Sequence, residues 1–303
     1  MGGNLLVSQP QFDASTPLAE EIADLSQRRA QLKDVTAPLP STPRIFTVAN
    51  QKGGVGKTTT VVNIAASLAR FGARVLVIDL DPQGNASTAL GIDHHGEIES
   101  IYDVLVGTTP LEEVVAPSPE NERLFCAPST LDLAGAEIEL VSLAAREYRL
   151  KRALDTYLSS PAGAGIHYVI IDCPPSLGLL TINAFVAAKE VLLPIQCEYY
   201  ALEGVSQLVR NIDLVRAHLN PDLVLSTIVL TMFDRRTNLA QQVVDDVKTH
   251  FAQATLNAVI PRSVRVSEAP SYGQSVLAYD PASPGAVSYQ EAALEIAGRG
   301  APH

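Results

Sequence analysis

One stretch constrains the fold of this chain more than any other: Asn50-Gln51-Lys52-Gly53-Gly54-Val55-Gly56-Lys57-Thr58-Thr59-Thr60. It follows directly on the apolar run Ile45–Ala49, which reads as a strand. It opens Thr58–Arg70, where Val61, Ile64, Ala65 and Leu68 fall on one helical face. Strand, glycine-rich turn and helix in that order cradle phosphate. The glycines let backbone N–H groups turn inward around phosphate oxygens, and the helix N-terminus adds the positive end of its dipole. Lys57 would neutralise β- and γ-phosphates, and the Thr58 hydroxyl would reach a Mg²⁺ bridging the same oxygens. The general pattern G-x-x-x-x-G-K-[ST] wants glycine at position 51, where this chain has Gln51, and the loop carries a second lysine, Lys52.

From Arg44 onward, short apolar runs alternate with amphipathic stretches. Val75–Asp79, Tyr168–Asp172, Val191–Ile195 and Thr227–Thr231 join Ile45–Ala49 as strand candidates. Runs apolar on both faces fit a buried parallel sheet, and the stretches between them fit crossover helices on both of its faces. The expected fold class is therefore α/β: a doubly wound, mostly parallel sheet flanked by helices. With 47% hydrophobic and 18% charged residues, the 303-residue chain has enough apolar surface to fold around such a core. Residues 44–303 read as one domain, and 1–43 as an extension marked by Pro10, Pro17, Pro38, Pro40 and Pro43. Within it, Leu18, Ile22, Leu25 and Leu32 approach helical spacing, leaving open a short amphipathic helix from about Pro17 to Leu32.

A net charge of −11 excludes a protein that coats nucleic acid by bulk attraction, but not one with a local basic patch. No apolar run reaches the length of a membrane span, and the first residues lack the basic start and apolar stretch of a secretory leader. Cys126, Cys173 and Cys197 are widely spaced with no C-x-x-C pair, which fits a reducing compartment rather than a zinc site.

Lys52-Gly53-Gly54-Val55-Gly56-Lys57-Thr58-Thr59 resembles the deviant Walker A motif of the ParA/MinD group of P-loop ATPases. In that group the extra lysine reaches across a dimer to the partner's nucleotide. Asp79-Leu80-Asp81-Pro82-Gln83-Gly84-Asn85, Asp172-Cys173-Pro174-Pro175-Ser176-Leu177-Gly178 and Glu198-Tyr199-Tyr200-Ala201-Leu202-Glu203-Gly204 narrow the likeness. With Leu133-Ala134-Gly135-Ala136-Glu137 and Ile260-Pro261-Arg262, they resemble the chromosomal, Soj-like ParA partition ATPases over about residues 44–290.

Asp79 and Asp81 end a strand beside the phosphate loop, and their spacing puts both on one strand face, where either reaches Mg²⁺ or a water. The resemblance makes Asp81 the switch I acid that positions the attacking water; Asp79 reads as structural or as a support behind the metal's ligands. Asp172 sits at the carboxyl end of its strand, where α/β sheets place ligands. It resembles the Walker B acid that holds Mg²⁺ through water. The implied cofactors are ATP and Mg²⁺. The implied catalytic set is Lys52, Lys57, Asp81 and Asp172, with Thr58, Asp81 and Asp172 around the metal. Lys52, Gly53, Gly54, Val55, Gly56, Lys57, Thr58 and Thr59 line the phosphates, while Met232, Pro261, Arg262 and Ser263 lie along the base. Ser263 stands where the family's I-P-R-N stretch has Asn.

For DNA, the resemblance points to Arg236 and Arg265, with Arg235 and Arg262 beside them, contacting phosphates without base readout. Arg149 and Arg152, at helical spacing, are candidates for a second cationic ridge. The resemblance implies a cytoplasmic, nucleoid-associated homodimer when ATP-bound, slow turnover, nonspecific double-stranded DNA binding and a ParB-like partner. A polar scaffold protein would be met through the N-terminal extension. Two alternatives stand beside this reading. A MinD-like membrane switch would need a basic amphipathic C-terminal helix, but Ser288–Arg299 carries two glutamates and one arginine, so no direct membrane binding is expected. A nitrogenase iron-protein relative would need cluster-bridging cysteines, for which Cys126 and Cys173 lack the context.

Overall fold

The computed structural model describes residues 17–96, 98–199 and 201–301. Residues 1–16 of the N-terminal extension, and Tyr200 of the Glu198–Gly204 segment, lie outside them. The chain divides into two units, Met1–Val35 and Thr36–His303. Among its described residues the first carries α1 (Pro17–Gln31), with Arg28 and Arg29 in its last turn. Its bounds nearly coincide with the expected Pro17–Leu32, and Ile22 on it is well exposed.

In the second unit β1 (Arg44–Val48) leads to α2 (Lys57–Arg70) and β2 (Val75–Asp79). Three short helices follow, α3 (Asn85–Ala89), α4 (Ile101–Val106) and α5 (Leu111–Val114), then β3 (Ala116–Pro117) and β4 (Leu124–Ala127). Next come α6 (Leu133–Val141), α7 (Arg149–Ser159), β5 (Tyr168–Asp172), α8 (Leu179–Ala187), β6 (Glu190–Gln196) and α9 (Ala201–His218). The chain ends with β7 (Val224–Phe233), α10 (Asn238–His250), β8 (Thr255–Pro261), α11 (Val264–Glu268), α12 (Val276–Tyr279) and α13 (Pro284–Arg299).

The strands form an eight-stranded sheet in the order β3-β4-β2-β5-β1-β6-β7-β8, with β3 antiparallel and the rest parallel. Strand alternation sorts the core. Leu76, Ile78, Val169, Ile171, Leu193 and Ile228 face one side and pack with Leu154 of α7, Phe185 of α8, Leu208 of α9 and Val244 of α10. The opposite side, which carries Val75, Val77 and Ile170, is covered by α2, and α13 lies against both α2 and β8. This is the doubly wound α/β architecture the strand pattern predicts.

Several helix ends follow from their sequence. Ser100 and Asp103 form a capping box at α4, the Thr237 hydroxyl accepts from Ala240 N at 3.3 Å at α10, and Ser283 with Pro284 starts α13. In α13, Tyr289, Ala292, Ala293 and Ile296 are buried within the protein, so its apolar face is spent on the fold. Among the described residues no helix is long and apolar enough to cross a membrane. Arg149 differs from the expectation of a cationic ridge. Its guanidinium donates to the carbonyls of Leu105 and Val106 at 2.8 Å each, closing the C-terminal end of α4, so it serves packing.

Candidate functional site

The loop after β1 is fastened to two strands on one side of it, β6 and β7. Asn50 Nδ2 donates to the Pro194 carbonyl on β6 at 2.8 Å, and Asn50 Oδ1 accepts from Lys52 N at 3.0 Å. Thr231 Oγ1 at the end of β7 donates to the Val55 carbonyl at 2.8 Å. Gly54 and Gly56 take φ of +72° and +89°, a region that favours glycine, and Gly56 is the N-cap of α2. The turn thereby leads straight into α2 and aims its first N–H groups at the loop's hollow.

Lys57, Asp81 and Asp172 surround that hollow. Lys57 is buried, which lowers its pKa, while the charges of Asp172 and Asp81 oppose the shift. Asp172 ends β5 in lateral register with Asp79 on β2, and both side chains are fully buried on the α2 side of the sheet. Burial, then their mutual repulsion, raises the pKa of Asp172; burial first raises that of Asp79 as well.

Their hydrogen bonding separates them. Asp79 Oδ2 accepts from Ser87 N at 2.8 Å and Ser87 Oγ at 2.7 Å, and Oδ1 accepts from Asp81 N at 3.2 Å. Asp79 thus braces the loop that carries Asp81. Neither buried carboxylate oxygen of Asp172 makes a hydrogen bond of ordinary geometry, and the nearby Thr58 hydroxyl offsets only part of the rise in its pKa. A buried carboxylate so placed, with Thr58 and Asp81 beside it, fits a site for a hard divalent cation. Asp81 is half-buried, and its Oδ1 is engaged by Gln83 N at 3.0 Å.

Met232, Pro261, Arg262 and Ser263 lie at or just beyond the carboxyl ends of β7 and β8, where Arg262 N donates to the Phe233 carbonyl at 3.0 Å. Met232 adopts φ of +53°, and its methyl would meet a Cβ on Gly56 at 3.9 Å, so it borders the phosphate loop. The four arginines assigned to DNA share this end of the sheet. Arg235, Arg236, Arg262 and Arg265 are all exposed, and Arg236 and Arg265 are paired with acids. Arg236 forms a two-pronged pair with Asp234 at 2.8 and 2.7 Å, which holds the Asp234 carboxyl well below the usual range. Arg265 lies 3.2 Å from Glu268 and 3.5 Å from Asp280.

Lys52 also has a partner that sequence reasoning gave no role. Its Nζ lies 3.1 Å from Glu198 Oε2, and Gln196 donates to the other carboxylate oxygen. The only sequence signal for Glu198 is that it opens the Glu198–Gly204 segment. The three cysteines are buried; burial pushes the thiols of Cys173 and Cys197 up to about 12 and that of Cys126 well above its ordinary value, as for packed, unreactive thiols.

A family model described as an AAA domain matches residues 43–225. The sporulation initiation inhibitor protein Soj of Bacillus subtilis is 51% identical over 257 residues, spanning 85% of this chain and 99% of that protein. The chromosome partitioning protein ParA of Myxococcus xanthus is 50% identical over 259 residues, spanning 86% and 89%. Among solved structures, cobyrinic acid a,c-diamide synthase from Mycobacterium smegmatis with bound ADP and magnesium is 40% identical, with a TM-score of 0.71 over 83% of this chain and 93% of that one. On these matches, the chain belongs to the ParA/Soj family of chromosome-partitioning P-loop ATPases.

Proposed function

We propose that this chain is an ATP-switched DNA-partition ATPase. In this reading ATP drives a face-to-face dimer, the dimer binds double-stranded DNA without sequence preference, and a ParB-like partner stimulates the hydrolysis that resets it. The observation that carries the reading is the convergence of Lys57, Thr58 and the fully buried Asp172 carboxylate at the carboxyl ends of β1 and β5. The bound ADP and magnesium of the Mycobacterium smegmatis neighbour support the same ligands here.

In this scheme the loop amides and Lys57 hold the β- and γ-phosphates, and Thr58 with Asp172 would hold Mg²⁺. A bound Mg²⁺ would supply a fixed divalent charge against the phosphate oxygens. Asp81, on the loop braced by Asp79, orients the water in line with the γ-phosphorus. Lys52 of one subunit reaches the nucleotide of the other, so the charge stabilisation is complete only in the dimer. Met232 and the Pro261–Ser263 segment border the base. Arg235, Arg236, Arg262 and Arg265 form the DNA-facing surface, doubled when two subunits meet. The N-terminal extension is left to a scaffold protein, and the protein acts at the nucleoid.

The test is mass measurement by size-exclusion light scattering with Mg²⁺ and ADP or ATP, using Asp81→Ala to block turnover. The expected result is a monomer with ADP and a dimer with ATP. A monomer under ATP in that variant would sink the dimer model.

A further inference from the structure

The reading above requires Lys52 to leave its own subunit, yet in the single chain its ammonium is already placed. Glu198 Oε2 sits 3.1 Å from Lys52 Nζ, and the other Glu198 oxygen accepts from Gln196, the last residue of β6. The rest of the loop is held on the same side: Asn50 ties its start to Pro194 on β6, and Thr231 ties Val55 to β7. Lys52 therefore lies in the exposed stretch between two fastened points, Asn50 and Val55, docked on an acid that a strand-end glutamine orients.

The pair is built to exchange. Both side chains are nearly half exposed, 44% for Lys52 and 46% for Glu198, so solvent screens the attraction and the pair stabilises the fold little. A partner's nucleotide offers several negative charges on its phosphates in a site closed from water, where attraction is stronger. One exposed carboxylate loses that competition, while in the absence of a partner it keeps Lys52 in place.

We propose that Glu198 is a positioning residue that holds Lys52 within its own subunit until an ATP-loaded partner arrives, and so raises the protein concentration at which the dimer forms. The proposal rests on the reading that Lys52 acts across the dimer. Each dimer must break two such pairs, so the effect on assembly is doubled.

Sedimentation velocity over a range of protein concentrations, with a non-hydrolysable ATP analogue and Mg²⁺, tests this. Glu198→Gln keeps the shape and removes the charge. It is expected to reach half-dimer at about two- to tenfold lower concentration than the parent, the size of two exposed ion pairs. Glu198→Asp, which keeps the charge, is expected to fall between them. Raising NaCl from low to high concentration should bring the parent toward the Gln variant, because salt screens the pair that the variant lacks. A purely structural role for Glu198 would not produce that convergence. A parent that dimerises while Glu198→Gln dimerises at the same or higher concentration overturns the latch and leaves the dimer reading intact. A parent that stays monomeric with the analogue at every concentration overturns the dimer reading and the latch with it.

Discussion

At Arg236 the chain sets a cation against an acid two residues upstream, and the geometry makes the pair a fork. Asp234 also accepts from Arg236 N at 3.1 Å, so the turn itself presents the carboxylate to the guanidinium. If Arg236 contacts DNA, it must trade this acid for a phosphate. Asp234→Asn is then expected to tighten nonspecific DNA binding of the ATP-loaded protein several-fold. It should also steepen the salt dependence by up to about one unit for each freed contact. In an Arg236→Ala background the same substitution should do much less, which separates release of the arginine from simple loss of negative charge. Filter binding across a salt series reads both, and an equal effect in the two backgrounds would sink the idea. The acid was visible in the sequence two residues before Arg236; its pairing was not, since that depends on how the chain turns after β7. The phosphate loop was legible because its residues are consecutive and backbone geometry alone dictates the glycines. The Lys52–Glu198 pair was hidden because its members lie 146 positions apart and no local pattern joins them.

Between elements, α11 and α13 meet at Gly285. Gly285, in the first turn of α13, has no room for a side chain: a Cβ there would meet Val266 Cγ2 of α11 at 2.4 Å. Gly285→Ala should cost about 1–3 kcal/mol in urea unfolding through overpacking. Val266→Ala in the same chain should cost less than the two single changes summed, because it opens the space the new methyl needs. Strict additivity would show that α11 and α13 do not press on each other there. The strands were readable in proportion to their burial. β2 and β5, buried at every position, have the expected bounds, and β6 and β7 run beyond the expected apolar stretches at both ends. β3, β4 and β8 carry no comparable signal. β3 and β4 have two and four residues, and the edge strand β8 exposes Asn257, whose N–H is taken by Glu295 of α13 rather than by a strand.

The whole second unit is stitched by contacts between distant parts of the sequence. Buried Arg44 at the start of β1 pairs with Glu190 at the start of β6 at 2.7 and 2.8 Å and donates to the Ile296 carbonyl of α13 at 2.7 Å. His167 does similar work on the other side of β1. Its Nδ1 accepts from Arg74 N at 2.9 Å, and its own N–H donates to Arg74 O at 2.9 Å, joining the entries to β5 and β2. An accepting Nδ1 suits a neutral ring, and burial, followed by the charges of Arg74 and Arg123, lowers the His167 pKa below its ordinary 6.5. The unfolded chain therefore takes up the proton first as pH falls. The stability this residue contributes is complete above pH 6.5 and is lost as pH drops through the lowered folded value. Asp79 and Asp172, with raised values, carry the opposite sign and gain stability as acid protonates them, so the net slope of the parent does not isolate the histidine. His94 is lowered like His167 and is present in both proteins under comparison. His167→Asn keeps an acceptor for Arg74 N without a titrating ring. Its urea midpoint should fall less than the parent's between neutral pH and pH 5, and parallel midpoints over that range would remove His167 from the acid response.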